Sequence, residues 1–148
     1  MASASNSSLS LGSTISTETF PLNIGFIASY CQKKFGKNVD ITLFKYIEEL
    51  EEAIHASPPD ILAMSNYVWC QNISLELFKV FKEENPNGLT ISGGPNFPLD
   101  IESQEKYLHK HNIIDIYVPV EGEIGFSNAI EQCINLEKTQ LRNILLKP

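Results

Sequence analysis

Basic residues are scarce in this chain, and none precedes Lys33. Lys and Arg total 11 against 18 Asp and Glu, a formal net charge of −7, and no stretch gathers the positive side chains on one face. Nucleic acids and anionic membrane surfaces require a positive footprint that neutralises phosphate, so the balance argues against both as partners. No apolar run approaches the roughly 20 residues of a membrane span, and an Arg-free start does not resemble a transit peptide. Cysteine is also sparse. Cys31, Cys70 and Cys133 lie far apart and form no CxxC pair, which is the usage of a reduced, cytoplasmic protein with buried thiols rather than a disulfide or zinc scaffold.

Catalytic signatures are missing as well. The sequence has no nucleophile elbow, Walker phosphate loop, GxGxxG or HExxH. His55, His109 and His111 fall on helix surfaces or ends by their spacing, where solvation is the expected role. No residue is therefore assigned to catalysis or to metal ligation. A phosphoacceptor receiver domain also fits poorly, because Asp60 begins a strand where such a domain carries an Asp at the strand's end.

What is present is periodicity. At 148 residues and 43% hydrophobic content the chain suffices for one domain with a core, since about 150 residues bury roughly 70% of their unfolded surface. The first 19 residues hold seven Ser and three Thr and read as a flexible lead-in. Residues 20–136 read as an α/β domain, and 137–148 as a tail or linker stub. "PLNIGFIASYCQKKFG" predicts a helix over 22–35 with Ile27, Tyr30 and Cys31 on one stripe, ended by Gly36. "VDITLFKY" predicts a strand over 39–45. "IEELEEAIHAS" is a surface helix with Ile47, Leu50 and Ile54 inward. "DILAMSNYVW" reads as a strand covered on both faces, and "SLELFKVFKEENP" as a helix with Leu77, Phe78 and Phe81 inward. "LTISGG" is a strand, "IESQEKYLHKH" a helix and "IIDIYVPVEGE" a strand. The last helix carries Phe126, Ala129, Ile130, Cys133 and Ile134 at helical spacing.

Strand and helix alternate about every 25 residues, the pattern of βαβ units in a flavodoxin-like (Rossmann-like) doubly wound parallel sheet flanked by helices. Its first strand is weak or missing: either "SLSLGSTIS" supplies a poor one, or it lies outside the chain. In such a sheet ligands bind at the carboxyl ends of the strands. Three stretches fall there. "SNYVWCQN" offers Ser65, Asn66, Tyr67, Trp69 and Asn72, with Trp69 and Tyr67 as pocket wall or core cap. "GGPN" offers Gly93, Gly94, Pro95 and Asn96, where glycine lets another molecule approach the backbone. "EGE" offers Glu121, Gly122 and Glu123, whose carboxylates can accept hydrogen bonds or favour a helix start.

In this order "PLNIGFIASY", "PDILAMSNYVWCQN", "TISGGPNFP" and "IDIYVPVEGE" resemble the cobalamin-binding N-terminal domain of the radical SAM superfamily, across about residues 20–135. The resemblance implies a domain that holds a corrinoid over the carboxyl edge of the sheet, its nucleotide tail threaded into the cleft. It puts Ser65 and its neighbours against the tail, Gly93 and Gly94 along its path, residues 121–123 in the last loop, and Trp69 toward the corrin. Methionine-synthase-type domains carry DxHxxG after the first strand, whose His ligates cobalt; here no histidine precedes His55. The resemblance then implies cobalamin held without a protein histidine ligand. The CxxxCxxC motif of the iron–sulfur core is also missing, so radical chemistry would need a radical SAM catalytic domain in cis or in trans. The alternatives are a ligand-free doubly wound interaction or regulatory module, a truncated gene fragment, or a flavin- or nucleotide-binding flavodoxin-like domain.

Overall fold

The computed structural model describes residues 7–12, 22–119, 122–135 and 144–145. Among the described residues six parallel strands form one sheet in the order β2-β1-β3-β4-β5-β6. They are β1 Ser7–Gly12, β2 Val39–Phe44, β3 Ile61–Ser65, β4 Leu89–Gly93, β5 Ile116–Val118 and β6 Ile144–Leu145. The helices are α1 Leu22–Phe35, α2 Ile47–Ala56, α3 Gln71–Glu84, α4 Ile101–Lys110 and α5 Gly122–Asn135. The expected flavodoxin-like doubly wound sheet is therefore the observed architecture.

The strands are apolar almost throughout because both faces are covered, and alternation assigns each side chain to a layer. Ile61, Ala63, Leu89, Ile91, Ile116 and Val118 face α1 and α5, where Ile24, Ala28, Cys31, Phe126, Ala129 and Ile130 meet them. Leu62, Met64 and Tyr117 face the opposite layer, packed with Leu50 and Ile54 of α2 and Leu77, Phe78 and Phe81 of α3. Tyr107 and Leu108 bring α4 onto that same face. At the amino edge Lys82 of α3 pairs with Asp115 at 2.5 Å, and the same carboxylate oxygen accepts from the Thr90 N–H at 2.9 Å.

Several sequence expectations change. Ser7–Gly12, read as part of a flexible lead-in, is the strand between β2 and β3, pairing Ser10 with Thr42 on one side and Leu62 on the other. "SLSLG" thus supplies the first strand. Backbone pairing on two sides holds it, so a serine-rich segment serves without a strongly apolar pattern. The rest of residues 1–19 lies outside the described residues. On α1 the buried stripe is Ile24, Ala28 and Cys31, and Tyr30 points outward. The last long strand keeps only Ile116–Val118 of the predicted run, and α3 begins at Gln71, one turn earlier than its clearest periodicity. Within the predicted tail, Ile144 and Leu145 pair with Ile116 and Tyr117.

Candidate functional site

A cavity of about 340 Å³ opens at the carboxyl edge, on the α1 and α5 side. Its floor is apolar: Ala63, Ile91 and Val118 come from three neighbouring strands. Its walls are Ile24 and Ile27 of α1 and Phe126 of α5. Polar groups stand around this floor. They are Asn23 at the start of α1, Ser65 and Tyr67 after β3, Gly93 to Pro95 after β4, and Gly122 and Glu123 in the first turn of α5. No Lys or Arg is among these lining residues, and Glu123 is the one charged member. An apolar cleft with few polar groups and no cation suits a neutral, largely flat organic group better than a phosphate.

Tyr67 forms the outer wall. Its hydroxyl accepts a hydrogen bond from the Asn23 side chain, and its ring stacks on Trp69 with centroids 4.9 Å apart and planes 10° off parallel. Trp69 is 72% exposed, so it does not cap the core; it extends the aromatic wall into solvent.

The back of the two loops is held from the other face of the sheet. Asn66, 2% exposed, donates from Nδ2 to the Asn96 carbonyl at 2.7 Å, to the Tyr117 hydroxyl at 2.9 Å and to the Tyr107 hydroxyl at 3.0 Å. Its backbone N–H donates to the Gly93 carbonyl at 2.6 Å, and its own carbonyl accepts from the Asn96 N–H at 3.3 Å. Asn96 Nδ2 donates to Gln71 Oε1 at 2.9 Å, and Gln71 Nε2 donates to the Tyr107 hydroxyl at 3.0 Å. Tyr117 completes the circuit by donating to the Gly94 carbonyl at 3.0 Å while Phe97 stacks on its ring, centroids 3.8 Å apart. Burial pushes the phenols of Tyr117 and Tyr107 above their ordinary range, Asn66 opposing the shift in both, so these hydroxyls stay protonated and able to donate. His111 packs against Tyr107, and burial followed by the neighbouring Lys110 charge lowers its pKa.

Of the residues singled out in the sequence, Ser65, Tyr67, Gly93, Gly94, Pro95, Gly122 and Glu123 line the cavity. Asn66 and Asn96 are instead in the network behind the loops. Asn72 is exposed in the first turn of α3, and Trp69 stands outside the cavity on Tyr67. Glu121 lies outside the described residues. Sequence reasoning missed the apolar floor and the network members Gln71, Tyr107 and Tyr117. The "PLNIGFI" stretch carried a signal for Asn23 and Ile27, and Ala63 is a small residue in an otherwise bulky strand. Tyr107 and Tyr117 had no such signal, because only tertiary packing brings them to Asn66. Among the described residues no three His, Cys, Asp or Glu side chains are placed to hold a metal ion. No helix among them is long and apolar enough to cross a membrane.

Fold and site together define a flavodoxin-like domain with an apolar carboxyl-edge cleft between two helices of one layer. Two solved structures share the fold. The pilus assembly protein CpaE from Caulobacter crescentus superposes with a TM-score of 0.55 at 12% identity, covering 82% of this chain and 96% of that one. The CheY-like protein TadZ from Pseudomonas aeruginosa gives 0.55 at 10% identity, covering 84% and 98%. No model of a known protein family matches the chain. Curated relatives narrow the class. The cobalamin-dependent radical SAM methyltransferase TokK of Streptomyces tokunonensis is 29% identical over 116 residues, 74% of this chain. The 2-(S-pantetheinyl)-carbapenam-3-carboxylate methyltransferase of Streptantibioticus cattleyicolor is 28% identical over 114 residues. The chain resembles a domain of the cobalamin-dependent radical SAM enzymes, as its four motifs imply, and spans 16% of the length of each of these relatives.

Proposed function

We propose that the chain is a cobalamin-binding domain that receives the corrinoid's nucleotide tail in the cavity between α1 and α5. The observation that carries this reading is an apolar cleft, with no Lys or Arg among its described lining residues, formed by the same carboxyl-edge stretches that match the cobalamin-binding motifs. Its size is consistent with part of the cofactor only. At about 340 Å³ it stands near the lower end of the roughly 300–1,000 Å³ typical of small-molecule sites, room for a planar base and sugar but not for a corrin macrocycle. Ala63, Ile91, Val118 and Phe126 would hold the base; Ser65, Tyr67 and Glu123 would offer hydrogen bonds at the mouth. Trp69, exposed on the outer wall, would offer its ring to a corrin face. The described lining holds no Lys or Arg, so the cavity would take the base and ribose of the tail while the tail's own phosphodiester stays outside it.

Cobalamin would be held without a protein histidine ligand. His55 is engaged with Glu84 at 2.8 Å across α2 and α3, and His111 packs on Tyr107 at the end of α4. Both helices lie on the face opposite the cavity. When bound, the corrinoid would supply the methyl-carrier chemistry, and the protein would bind, shield and orient it. The chain does not turn over substrate alone. It acts in the cytoplasm with a radical SAM catalytic domain, in cis or in trans, that carries the iron–sulfur cluster.

Incubation with hydroxocobalamin followed by desalting tests the reading. Retained corrin absorbance, shifted to the base-off form, is the expected result, and a colourless protein overturns it. Ala63→Leu, which projects a larger side chain into the cavity, should abolish retention while leaving the far-ultraviolet circular dichroism unchanged.

A further inference from the structure

We propose that Asn66, Asn96 and Tyr117 are positioning residues that set the width of the carboxyl-edge cleft from the face the ligand never touches. The inference rests on the corrinoid reading for the identity of the ligand, but its geometric content stands apart from it. The two loops that border the cavity, residues 65–70 and 93–97, share one set of fasteners on their far side. Asn66 is the hub. Its two Nδ2 protons serve three acceptors, one on each of Asn96, Tyr107 and Tyr117, while its backbone exchanges hydrogen bonds with Gly93 and Asn96. Tyr117 ties β5 to the Gly94 carbonyl, the link immediately behind the cavity-facing backbone. Gly94 has φ +135°, and a Cβ there would lie 2.6 Å from the Asn66 carbonyl oxygen, so the loop is seated directly on its hub.

Buried polar networks hold a single geometry when every member is satisfied, and one missing hydroxyl frees several bonds together. Without the Tyr117 hydroxyl, the Gly94 carbonyl loses its donor and Asn66 one acceptor. The Phe97 stack on the ring survives. The loop would then sample positions closer to and further from Ser65, and a tail entering the cleft would have to order it first.

The test is Tyr117→Phe, with Asn66→Ala as the harsher variant. In the ligand-free protein, hydrogen exchange at the Asn66 and Asn96 amides should accelerate, while exchange within β3 and at the core of α3 stays at the wild-type rate. Unchanged exchange at both amides overturns the inference whatever the ligand proves to be. Cobalamin and cobinamide, which lacks the nucleotide tail, are then titrated in parallel. Cleft positioning predicts about a tenfold loss for cobalamin, the scale of one or two net hydrogen bonds, with cobinamide binding unchanged. Equal losses for both, or no loss for either, overturn it. Wild-type protein that binds neither corrinoid refutes the cofactor reading, and the exchange result then decides the positioning role alone.

Discussion

Two glycines in left-handed backbone separate conformational need from close approach. Gly36 sits at φ +56° with nothing within 4 Å of where a Cβ would be, so Gly36→Asn should cost no more than about 1 kcal/mol, Asn being the side chain best tolerated there. Gly94 combines φ +135° with the backbone of Asn66 in the way. Gly94→Ala should therefore destabilise by about 3 kcal/mol or more, the strain of a forbidden φ adding to a clash that backbone cannot relieve. Urea denaturation midpoints of the two variants check the contrast. Cys31 makes a second residue-level statement. It is fully buried, and that burial, opposed by Lys34, raises its pKa from 9.0 to about 11. Below pH 9.0 the thiol is protonated in both states and its contribution is fully present; as pH rises toward about 11 the unfolded chain releases the proton first, and the stability is lost. Wild type should exceed Cys31→Ala in stability at pH 8, and the gap should narrow by pH 10.5. "GGPN" announced its backbone demands at this scale because glycine and proline are local signals. Asn66 did not reveal its role, since a sequence shows a polar side chain after a strand but not the two tyrosines, 41 and 51 positions later, that complete its environment.

Ion pairs differ at the scale of elements according to what surrounds them. Lys34 of α1 meets Glu131 of α5 at 2.8 Å with both side chains well exposed, so the pair adds little to the packing that joins the helices. Lys34→Ala should change stability by less than about 1 kcal/mol. Lys82 and Asp115 are 17% and 10% exposed and bind α3 to the amino ends of β4 and β5, with Thr90 donating to the same carboxylate from its N–H and its hydroxyl. Asp115→Ala leaves the largely buried Lys82 ammonium without its counter-charge, with the Gly88 carbonyl still accepting from it, and leaves the Thr90 N–H without its carboxylate acceptor, so a loss of about 3 kcal/mol or more is expected. Thermal or urea unfolding of both variants measures the difference, and equal effects would mean that the amino-edge cluster is not the clamp its burial implies. Helix positions were mostly legible because apolar residues recur at the helical period. The period failed on α1, where Leu22, Phe26 and Tyr30 make an apolar stripe as regular as the buried one yet face solvent at 59%, 59% and 42% exposure. Periodicity locates an amphipathic helix; where two stripes compete, only the sheet beneath selects between them.

The integrity of the whole molecule depends on its least conspicuous strand. β1 is bordered by β2 and β3, and the order β2-β1-β3-β4-β5-β6 makes it the only described link between β2 and the remaining strands. Alternating strands and helices made the doubly wound class legible, but left its first strand open between "SLSLGSTIS" and a segment outside the chain, because three serines in "SSLSLG" interrupt any apolar run. Its hold on the sheet is through the backbone, with Ser10 opposite Thr42 on one side and Leu62 on the other. The side chain of Ser10 is buried but small, so Ser10→Ala should shift stability by no more than about 1.5 kcal/mol, the net value of one hydroxyl's hydrogen bond. Ser10→Pro removes a backbone donor from a strand flanked on both sides and inserts a ring where neighbouring strands close in, at a cost of about 3 kcal/mol or more. Because so much of a domain's total stability is at stake, the proline variant should lose the single cooperative urea transition that the alanine variant retains. If Ser10→Pro unfolds with the same midpoint and steepness as wild type, then β1 is not the structural centre of the sheet, and the carboxyl-edge cleft must be held by β3, β4 and β5 without it.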